Sequence, residues 1–189
     1  MSEYLQGLRA ELHELLYTRS FRFGDFVLSS GRRSDFYFDG KQVTLDGRGL
    51  FLVSSLILAR CREIGVSAVG GLTLGADPIA SGVATLSGAE SHPLRAFIVR
   101  KEAKAHGTGR AVEGPPLQPG ERVALVEDVI TTGAATLTAF ERIVEIGAVP
   151  VEAIVIVDRE EGGREALQDR GLPVHALFRR SEFPTPQHA

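Results

Sequence analysis

Two adjacent carboxylates, Glu127 and Asp128, stand immediately before a segment of hydroxyl and small residues, Val129 to Ala135. Carboxylate oxygens accept hydrogen bonds and suit a pair of sugar hydroxyls. A helix that begins in this segment would present unpaired backbone N–H groups and a partial positive charge, which together bind phosphate. This order of features predicts a site for a ribose 5-phosphate group, although an ordinary strand-to-helix turn with a solvated acidic tip has the same pattern.

A group of basic residues lies upstream, in or beside the segment 101–120. This segment has no sustained hydrophobic period and contains four glycines and three prolines. The basic residues are Arg100, Lys101, Lys104, His106 and Arg110. Long segments without structure are uncommon in compact domains and often act as lids. Basic side chains on a mobile loop suit the clamping of a charged leaving group such as pyrophosphate. A solvated basic loop would have the same composition, and it is the acid pair downstream that favours the functional interpretation.

Short apolar runs alternate with segments of helical period along most of the chain. The runs predict strands at 67–72, 95–99, 122–126, 151–157 and 174–178. The periodic segments predict helices at 3–19, 46–64, 77–86, 133–146 and 163–168, with Ser2, Asp46 and Asp77 as N-caps. This alternation predicts an α/β fold whose central, mostly parallel sheet is flanked by helices.

The N-terminal residues 1–40 fall outside that alternation. A leucine-striped helix is followed by aromatic residues on both sides of a polar turn at 29–34, which predicts two short strands. The expected organisation is therefore one domain over residues 1–189, with residues 1–40 contributing a small cap and 101–120 a mobile loop.

Composition limits the classes of function. Of the 189 residues 43% are hydrophobic and 24% charged, and the formal net charge is -3. This balance is ordinary for a globular protein and favours neither a nucleic acid nor an anionic membrane as partner. No apolar run approaches the roughly 20 residues that span a bilayer, so a cytoplasmic location is expected. Cys61 is the only cysteine, which excludes an intrachain disulfide, and we expect a buried thiol.

Three motifs carry a resemblance to a known family. Val-Glu-Asp-Val-Ile-Thr-Thr-Gly-Ala-Ala at 126–135 resembles the phosphoribosyl diphosphate (PRPP) motif of the type I phosphoribosyltransferases and lacks the Gly-Lys-Ser/Thr ending of a P-loop. Arg-Lys-Glu-Ala-Lys-Ala-His-Gly at 100–107 resembles the mobile catalytic loop of the orotate phosphoribosyltransferases. The segments 29–32 and 36–38 resemble their N-terminal orotate-side region. The resemblance covers nearly the whole chain.

The resemblance implies a type I phosphoribosyltransferase fold with an N-terminal hood. It also implies a pentosyltransferase reaction in pyrimidine biosynthesis, in which orotate and PRPP give orotidine 5'-monophosphate and pyrophosphate. The family is typically a homodimer with shared active sites, because a lysine that matches Lys101 reaches the partner's site. Mg²⁺ is expected as cofactor and is brought mainly by PRPP rather than by protein ligands.

The same resemblance assigns residues. The catalytic residues would be Lys101, Lys104, His106 and Asp128. PRPP would bind Arg100, Lys101, Lys104, His106, Glu127, Asp128, Val129, Ile130, Thr131, Thr132, Gly133, Ala134 and Ala135, with Leu72–Asp77 as the pyrophosphate loop. Orotate would bind Thr131, Arg159, Tyr37 and Phe38.

The chain departs from the family pattern at two places. Some members have a lysine at the position of Ser29, and a Tyr-Lys pair in the region that reads Thr-Leu-Gly at 73–75 here. Two alternatives stay open on the sequence. A purine or xanthine phosphoribosyltransferase would share the PRPP turn but have a different base-binding region, and a non-catalytic PRPP sensor that regulates transcription would lose the lysine loop and add a DNA-binding domain.

Overall fold

A computed structural model describes residues 2–27, 33–102 and 111–185 of the chain. In chain order its elements are α1 (Glu3–Arg19), β1 (Phe21–Val27), β2 (Arg33–Phe38), α2 (Lys41–Thr44), α3 (Gly47–Ile64), β3 (Ala68–Leu72), α4 (Ala76–Ser87), β4 (Arg95–Val99), β5 (Val112–Glu113), β6 (Arg122–Ile130), α5 (Ala134–Glu145), β7 (Val149–Asp158), α6 (Gly163–Gln168), β8 (Val174–Arg179) and a 3₁₀ turn (Arg180–Glu182).

The central sheet has the strand order β5-β4-β3-β6-β7-β8. All neighbouring strands are parallel except β5, which runs antiparallel to β4. The apolar runs of β3, β6 and β7 are almost wholly buried, as expected for strands covered on both faces. The predicted α/β fold is therefore confirmed, and the strand β6 that carries the acid pair lies at the centre of the sheet.

Two apolar clusters cover the two faces of the sheet. One joins α1, α3 and α4 to one face and includes Leu12, Ile57 and Val126. The other joins α5 and α6 to the opposite face and includes Leu125 and Ile143. Successive β6 residues thus point to opposite faces, which is the alternation that any strand imposes.

The two short strands predicted between residues 20 and 40 are present as β1 and β2. They pair antiparallel, with Phe21 opposite Phe38. Phe21, Phe36 and Phe38 are buried in the same cluster as the helices of the first face, so this aromatic unit is held by the core of the main domain.

The helix caps follow the prediction at two of three positions. Ser2 accepts a hydrogen bond from the amide of Leu5, and Asp46 accepts one from Gly49 at 2.9 Å. The prediction for Asp77 is wrong, since α4 begins at Ala76 after Gly75. The Asp77 carboxylate instead accepts a hydrogen bond from the Thr73 hydroxyl at 2.7 Å, which ties the β3–α4 loop to the helix.

Several elements are longer than predicted or were not predicted. β6 runs to Ile130 rather than ending at residue 126, because its ladder with β7 continues to the pair Ile130 and Asp158. The acid pair therefore lies inside the strand and not beyond it. The helix α2 and the strand β5, which occupies part of 101–120, were missed because both are too short to show a period.

Within the described ranges, no helix is both long and apolar enough to cross a bilayer. Cys61 is fully buried in α3, as expected, and burial raises the pKa of its thiol to about 12.

Candidate active site

The acid pair is buried at the carboxyl end of β6. Glu127 is 7% and Asp128 5% exposed. Because they are consecutive in a strand, Glu127 lines a cavity on the α5 side while Asp128 packs against Gly40, which precedes α2. Both carboxylates nevertheless meet at Gly75: a Cβ on this glycine would collide with Oε1 of Glu127 and lie 2.8 Å from Oδ1 of Asp128.

The segment after the acids forms a small open cavity of about 250 Å³. It is lined by Glu127, Val129, Ile130, Thr131, Thr132, Gly133, Ala134, Ala135 and Thr136. Gly133 has φ 79°, and a Cβ there would lie 2.9 Å from the carbonyl oxygen of Gly163, so the turn requires glycine. No side chain caps α5, which leaves its first-turn N–H groups directed at this cavity. The arrangement is that of an anion site at a helix N-terminus.

The electrostatics of the acid pair are unusual. Burial, followed by the neighbouring Asp128 carboxylate, raises the pKa of Glu127 well above its ordinary value. Lys41 stands on the other side of the pair, with Nζ 3.7 Å from Oδ2 of Asp128 and 3.4 Å from Oδ1 of Asp39. Partial burial of Lys41 lowers its pKa, but the two carboxylates outweigh that effect and leave the pKa raised.

The predicted pyrophosphate loop, Leu72–Asp77, lies beside β6, since β3 and β6 are neighbours in the sheet. The Thr73–Leu74 peptide is cis. A cavity of about 450 Å³ opens between Thr73, Arg100 and Lys101, with Ile98, Glu102 and Glu113 completing its lining. The structure therefore brings Arg100 and Lys101 next to the predicted pyrophosphate loop.

Three of the predicted basic residues, Lys104, His106 and Arg110, lie outside the described residues, as does the segment 28–32 with Ser29 and Arg32. Arg100, at the start of the predicted loop, reaches Glu113 of β5 at 3.4 Å.

Arg159 lies at the end of β7, and its amide donates to the carbonyl oxygen of Ile130 at 3.0 Å. This bond places it beside Thr131, which follows Ile130. The Arg159 side chain is only 7% exposed and donates to Glu161 at 2.7 Å. Its guanidinium also lies 4.3 Å from the ring centroid of Phe36 and 3.4 Å from the hydroxyl of Ser34. The predicted base side is thus built from the ends of β6 and β7 and from strand β2.

The two aromatic residues predicted for the base side face different ways. Phe38 is buried and packs edge-on against Phe21, with ring centroids 5.0 Å apart. Tyr37 points to the other side of β2, is 45% exposed and packs near Phe26. The ring that contacts Arg159 belongs to Phe36, the residue before Tyr37.

Sequence reasoning missed three residues that the structure adds to this region: Ser34, Gly40 and Lys41. Phe36 belongs to the segment 36–38, which the resemblance had already assigned to the orotate side. Asp39-Gly40-Lys41 at the end of an aromatic strand is a turn signal, and its charged residues could have suggested a helix start there. No pattern in the sequence indicated that this turn would meet Asp128.

The structure presents carboxylates, a helix N-terminus and basic side chains around one sheet edge. Within residues 2–27, 33–102 and 111–185, no group of three or more His, Cys, Asp or Glu side chains is arranged to hold a metal ion. The arrangement is suited to a ligand with a sugar diol between two phosphate-bearing ends.

The chain is similar in sequence and in fold to known proteins that share one enzyme name. No protein-family model matches the chain. The chain is 47% identical over 174 residues to orotate phosphoribosyltransferase of Synechocystis, which covers 92% of this chain and 87% of that one. It is 48% identical over 183 residues to the enzyme of the same name from Thermosynechococcus vestitus, covering 97% and 96%.

Solved structures similar to this chain have the same enzyme name as its sequence relatives. A crystal structure of Mycobacterium tuberculosis H37Rv orotate phosphoribosyltransferase is 40% identical, covers 93% of this chain and 98% of that chain, and superposes with a TM-score of 0.81. A structure of the same enzyme in complex with PRPP has a TM-score of 0.77.

Proposed function

The chain belongs to the orotate phosphoribosyltransferase family, and on that premise we propose how its residues carry out the reaction. It transfers the ribose 5-phosphate group of PRPP to orotate, which gives orotidine 5'-monophosphate and pyrophosphate in pyrimidine biosynthesis. The single observation that carries the assignment of roles is the cavity at the N-terminus of α5, because Glu127 lines it and Arg159 donates a hydrogen bond to Ile130, which lines it as well.

The ribose 5-phosphate group is proposed to lie along the end of β6. Its phosphate would accept hydrogen bonds from the N–H groups of the segment 129–135, where Gly133 and the two alanines leave room for close approach. Glu127 and Asp128 would accept hydrogen bonds from the ribose hydroxyls. This role requires ionised or shared-proton carboxylates, and a cation beside Asp128 supports it.

The diphosphate of PRPP is proposed to lie in the cavity lined by Thr73 and Arg100, where Lys101 of a partner copy would reach it. Lys104 and His106 would join these residues from the loop. As the bond to the anomeric carbon breaks, positive charge develops on the ribose and negative charge on the leaving diphosphate. Cationic side chains aimed at the diphosphate stabilise the transition state more than the ground state.

Orotate is proposed to bind between Thr131 and Arg159. A guanidinium forms two parallel hydrogen bonds to a carboxylate, and orotate carries one. The ring of Phe36 beneath the guanidinium and the hydroxyl of Ser34 fix its direction. Tyr37 and Phe38 remain proposed contacts, and of the two it is the exposed Tyr37 ring that a ligand could meet directly.

Orotate is an anionic nucleophile at neutral pH, so the reaction needs no strong general base. The attacking nitrogen approaches the face opposite the departing diphosphate, and the anomeric carbon inverts. The work of the protein is to orient the two substrates and to hold fixed charges around them.

Mg²⁺, the dimer and the cellular location are further parts of the proposal. Mg²⁺ binds substrate phosphates readily and would enter on PRPP, where it would neutralise part of the diphosphate charge. Lys101 is exposed at the mouth of its cavity, and we propose that it completes the site of a partner copy in a homodimer. A cytoplasmic location fits an enzyme whose substrates are charged metabolites.

The proposed function is tested by following orotate absorbance with PRPP and Mg²⁺, and by repeating the assay with adenine, hypoxanthine and xanthine. We expect orotate to be consumed only when PRPP is present, with pyrophosphate formed in equal amount, and activity to fall when a chelator removes Mg²⁺. Consumption of a purine in place of orotate, or PRPP binding without turnover of any base, would contradict the proposal.

A further inference from the structure

Lys41, the first residue of α2, is the cation that lies beside Asp128. Its Nζ lies 3.7 Å from Oδ2 of Asp128 and 3.4 Å from Oδ1 of Asp39. The Lys41 side chain is 44% exposed, whereas the Asp128 side chain is 8% exposed. Among the residues that the structure describes, Lys41 is the cation with an ion pair to the buried acid pair.

The local backbone holds Lys41 in this position. The Asp39 carboxylate accepts hydrogen bonds from the amide of Lys41 at 3.2 Å and from the Gln42 side chain at 3.0 Å, which fixes the start of α2. Gly40 packs so closely that a Cβ on it would lie 2.9 Å from Cβ of Asp128. The ammonium group is therefore positioned by the turn and not by its own flexible chain alone.

Lys41 offsets part of the negative charge at this point. Glu127, Asp128 and Asp39 supply three carboxyl groups, and Glu127 and Asp128 adjoin each other in a buried strand. Removing the partner of a buried charge leaves that charge uncompensated, which is costly. The same carboxylates would also repel a substrate that carries several phosphate charges. A cation on the cap side of Asp128 reduces both effects.

We propose that Lys41 is a positioning residue for Asp128: its ammonium group pairs with that carboxylate and holds it directed at the ribose hydroxyls of PRPP. The inference rests on the proposed role of the acid pair in ribose binding. It also gives the turn after β2 a function, since the same strand carries Ser34 and Phe36 to Arg159 on the base side.

The test compares steady-state kinetics of Lys41→Met, Lys41→Gln and Lys41→Arg in the full-length protein. We expect Lys41→Met to raise KM for PRPP about tenfold, the order expected for a partly exposed ion pair with one buried partner. KM for orotate should stay within about twofold of the wild type, because the ion pairs of Lys41 are with Asp39 and Asp128 and neither carboxylate is proposed to bind orotate. Lys41→Arg should recover most of the loss, since it restores a positive charge beside Asp128.

Arg48→Met is the matched control. Arg48 forms an exposed ion pair with Glu11 between α1 and α3, away from the acid pair. Its loss removes a salt bridge of the N-terminal region without changing the charge beside Asp128, and KM for PRPP should not move. If Arg48→Met raised KM for PRPP as much as Lys41→Met does, general loosening of the N-terminal region would explain the effect.

The pH dependence of kcat/KM for PRPP distinguishes a positioning role of the Lys41 charge from a role in packing alone. Glu127 is faced by Asp128 from its own strand and by Lys41 from α2, and Asp39 faces Lys41 in turn. Removal of the ammonium charge should move the acid limb of kcat/KM for PRPP to higher pH, and Lys41→Arg should return it. Lys41→Gln keeps a polar side chain of similar length, and it replaces Lys41→Met in both measurements if the Met variant folds poorly.

Asp128→Asn, measured in parallel, distinguishes the two possible failures. If Asp128→Asn keeps wild-type activity, the proposed ribose site itself is wrong. If Asp128→Asn is inactive while Lys41→Met and Lys41→Gln match the wild type in KM for PRPP and in pH profile, the inference about Lys41 alone is overturned.

Discussion

The guanidinium carbon of Arg159 lies 4.3 Å from the ring centroid of Phe36. This contact joins the end of the last long strand of the sheet to the two-stranded aromatic unit at the N-terminus. The Nε–H of Arg159 donates to Glu161 and one Nη–H donates to Ser34, while the ring of Phe36 lies against the face of the guanidinium. The other edge, formed by the two Nη atoms, is the one that can meet a planar acceptor. The contact therefore orients the residue proposed to receive the orotate carboxylate.

Arg159→Lys should raise KM for orotate roughly tenfold or more, because a lysine ammonium cannot make two parallel bonds to a carboxylate. KM for PRPP should change little. Arg180→Lys is the control: Arg180 also lies over Phe36, at 4.6 Å, but it donates to the carbonyl oxygen of Phe183 and to Thr185. Equal effects of the two variants on orotate would show that packing of the aromatic unit, and not a contact with orotate, is responsible.

Lys101→Ala should lower kcat roughly 100-fold or more while the thermal midpoint stays unchanged, because Lys101 is exposed and is proposed to act on the leaving diphosphate. Arg170→Ala removes an exposed cation that pairs with Glu141 away from the cavity, and it should leave kcat unaltered. Turnover in Lys101→Ala at the wild-type rate would refute the proposed role of this lysine.

Mixing Lys101→Ala with Asp128→Asn tests whether active sites are shared between chains. If Lys101 serves the partner's site, a hybrid dimer contains one intact site, and random exchange of subunits should restore about a quarter of wild-type activity. Each variant alone should stay inactive under the same incubation. Absence of recovery, with subunit exchange verified by mass, would show that each chain works with its own lysine.

The raised pKa of Glu127 predicts an acid limb in kcat/KM for PRPP at higher pH than an ordinary glutamate would give. The sign follows from the role: diol binding needs the ionised form, so activity falls as pH drops through the raised value. Glu127→Gln should lower activity and remove this limb. A limb that is unchanged in Glu127→Gln would belong to another group.

The same shift has an expected effect on stability. Since the folded protein holds the Glu127 proton more tightly than the unfolded chain does, stability is lost as pH rises through the folded-state pKa. Glu127→Gln should therefore be more stable than the wild type at neutral and higher pH. The difference should disappear below the pKa of an unfolded glutamate, about 4.3. Thermal midpoints of both proteins across pH measure this directly.

Gly75→Ala should weaken PRPP binding, because the new methyl group would collide with Glu127 and lie 2.8 Å from Oδ1 of Asp128. We expect kcat/KM for PRPP to fall about tenfold or more, since small misplacement of binding groups is costly. Gly47→Ala is the control, since nothing lies within 4 Å of a Cβ there. Wild-type kinetics in Gly75→Ala would show that the two carboxylates can shift without losing the ribose.

The elements of the sheet could be predicted because each strand is a local pattern. The apolar run before Glu127 identified β6, and the capping residue Asp46 located the start of α3. The end of β6 could not be predicted, since residues 127–130 are polar or mixed and join the strand only through their ladder with β7. Asp77 was assigned the wrong role for a similar reason, because its hydrogen bond to Thr73 depends on the fold of the loop.

The sequence by itself determined the chemistry of the segment 126–135, since two acids, a glycine-containing turn and a helix start are all contiguous. Only the tertiary structure decided which distant residues complete it. Lys41 reaches Asp128, and Ser34 reaches Arg159, because α2 and β2 pack against the carboxyl ends of β6 and β7. Such contacts are set by packing of the aromatic unit on the sheet, and residue spacing along the chain contains no record of that packing.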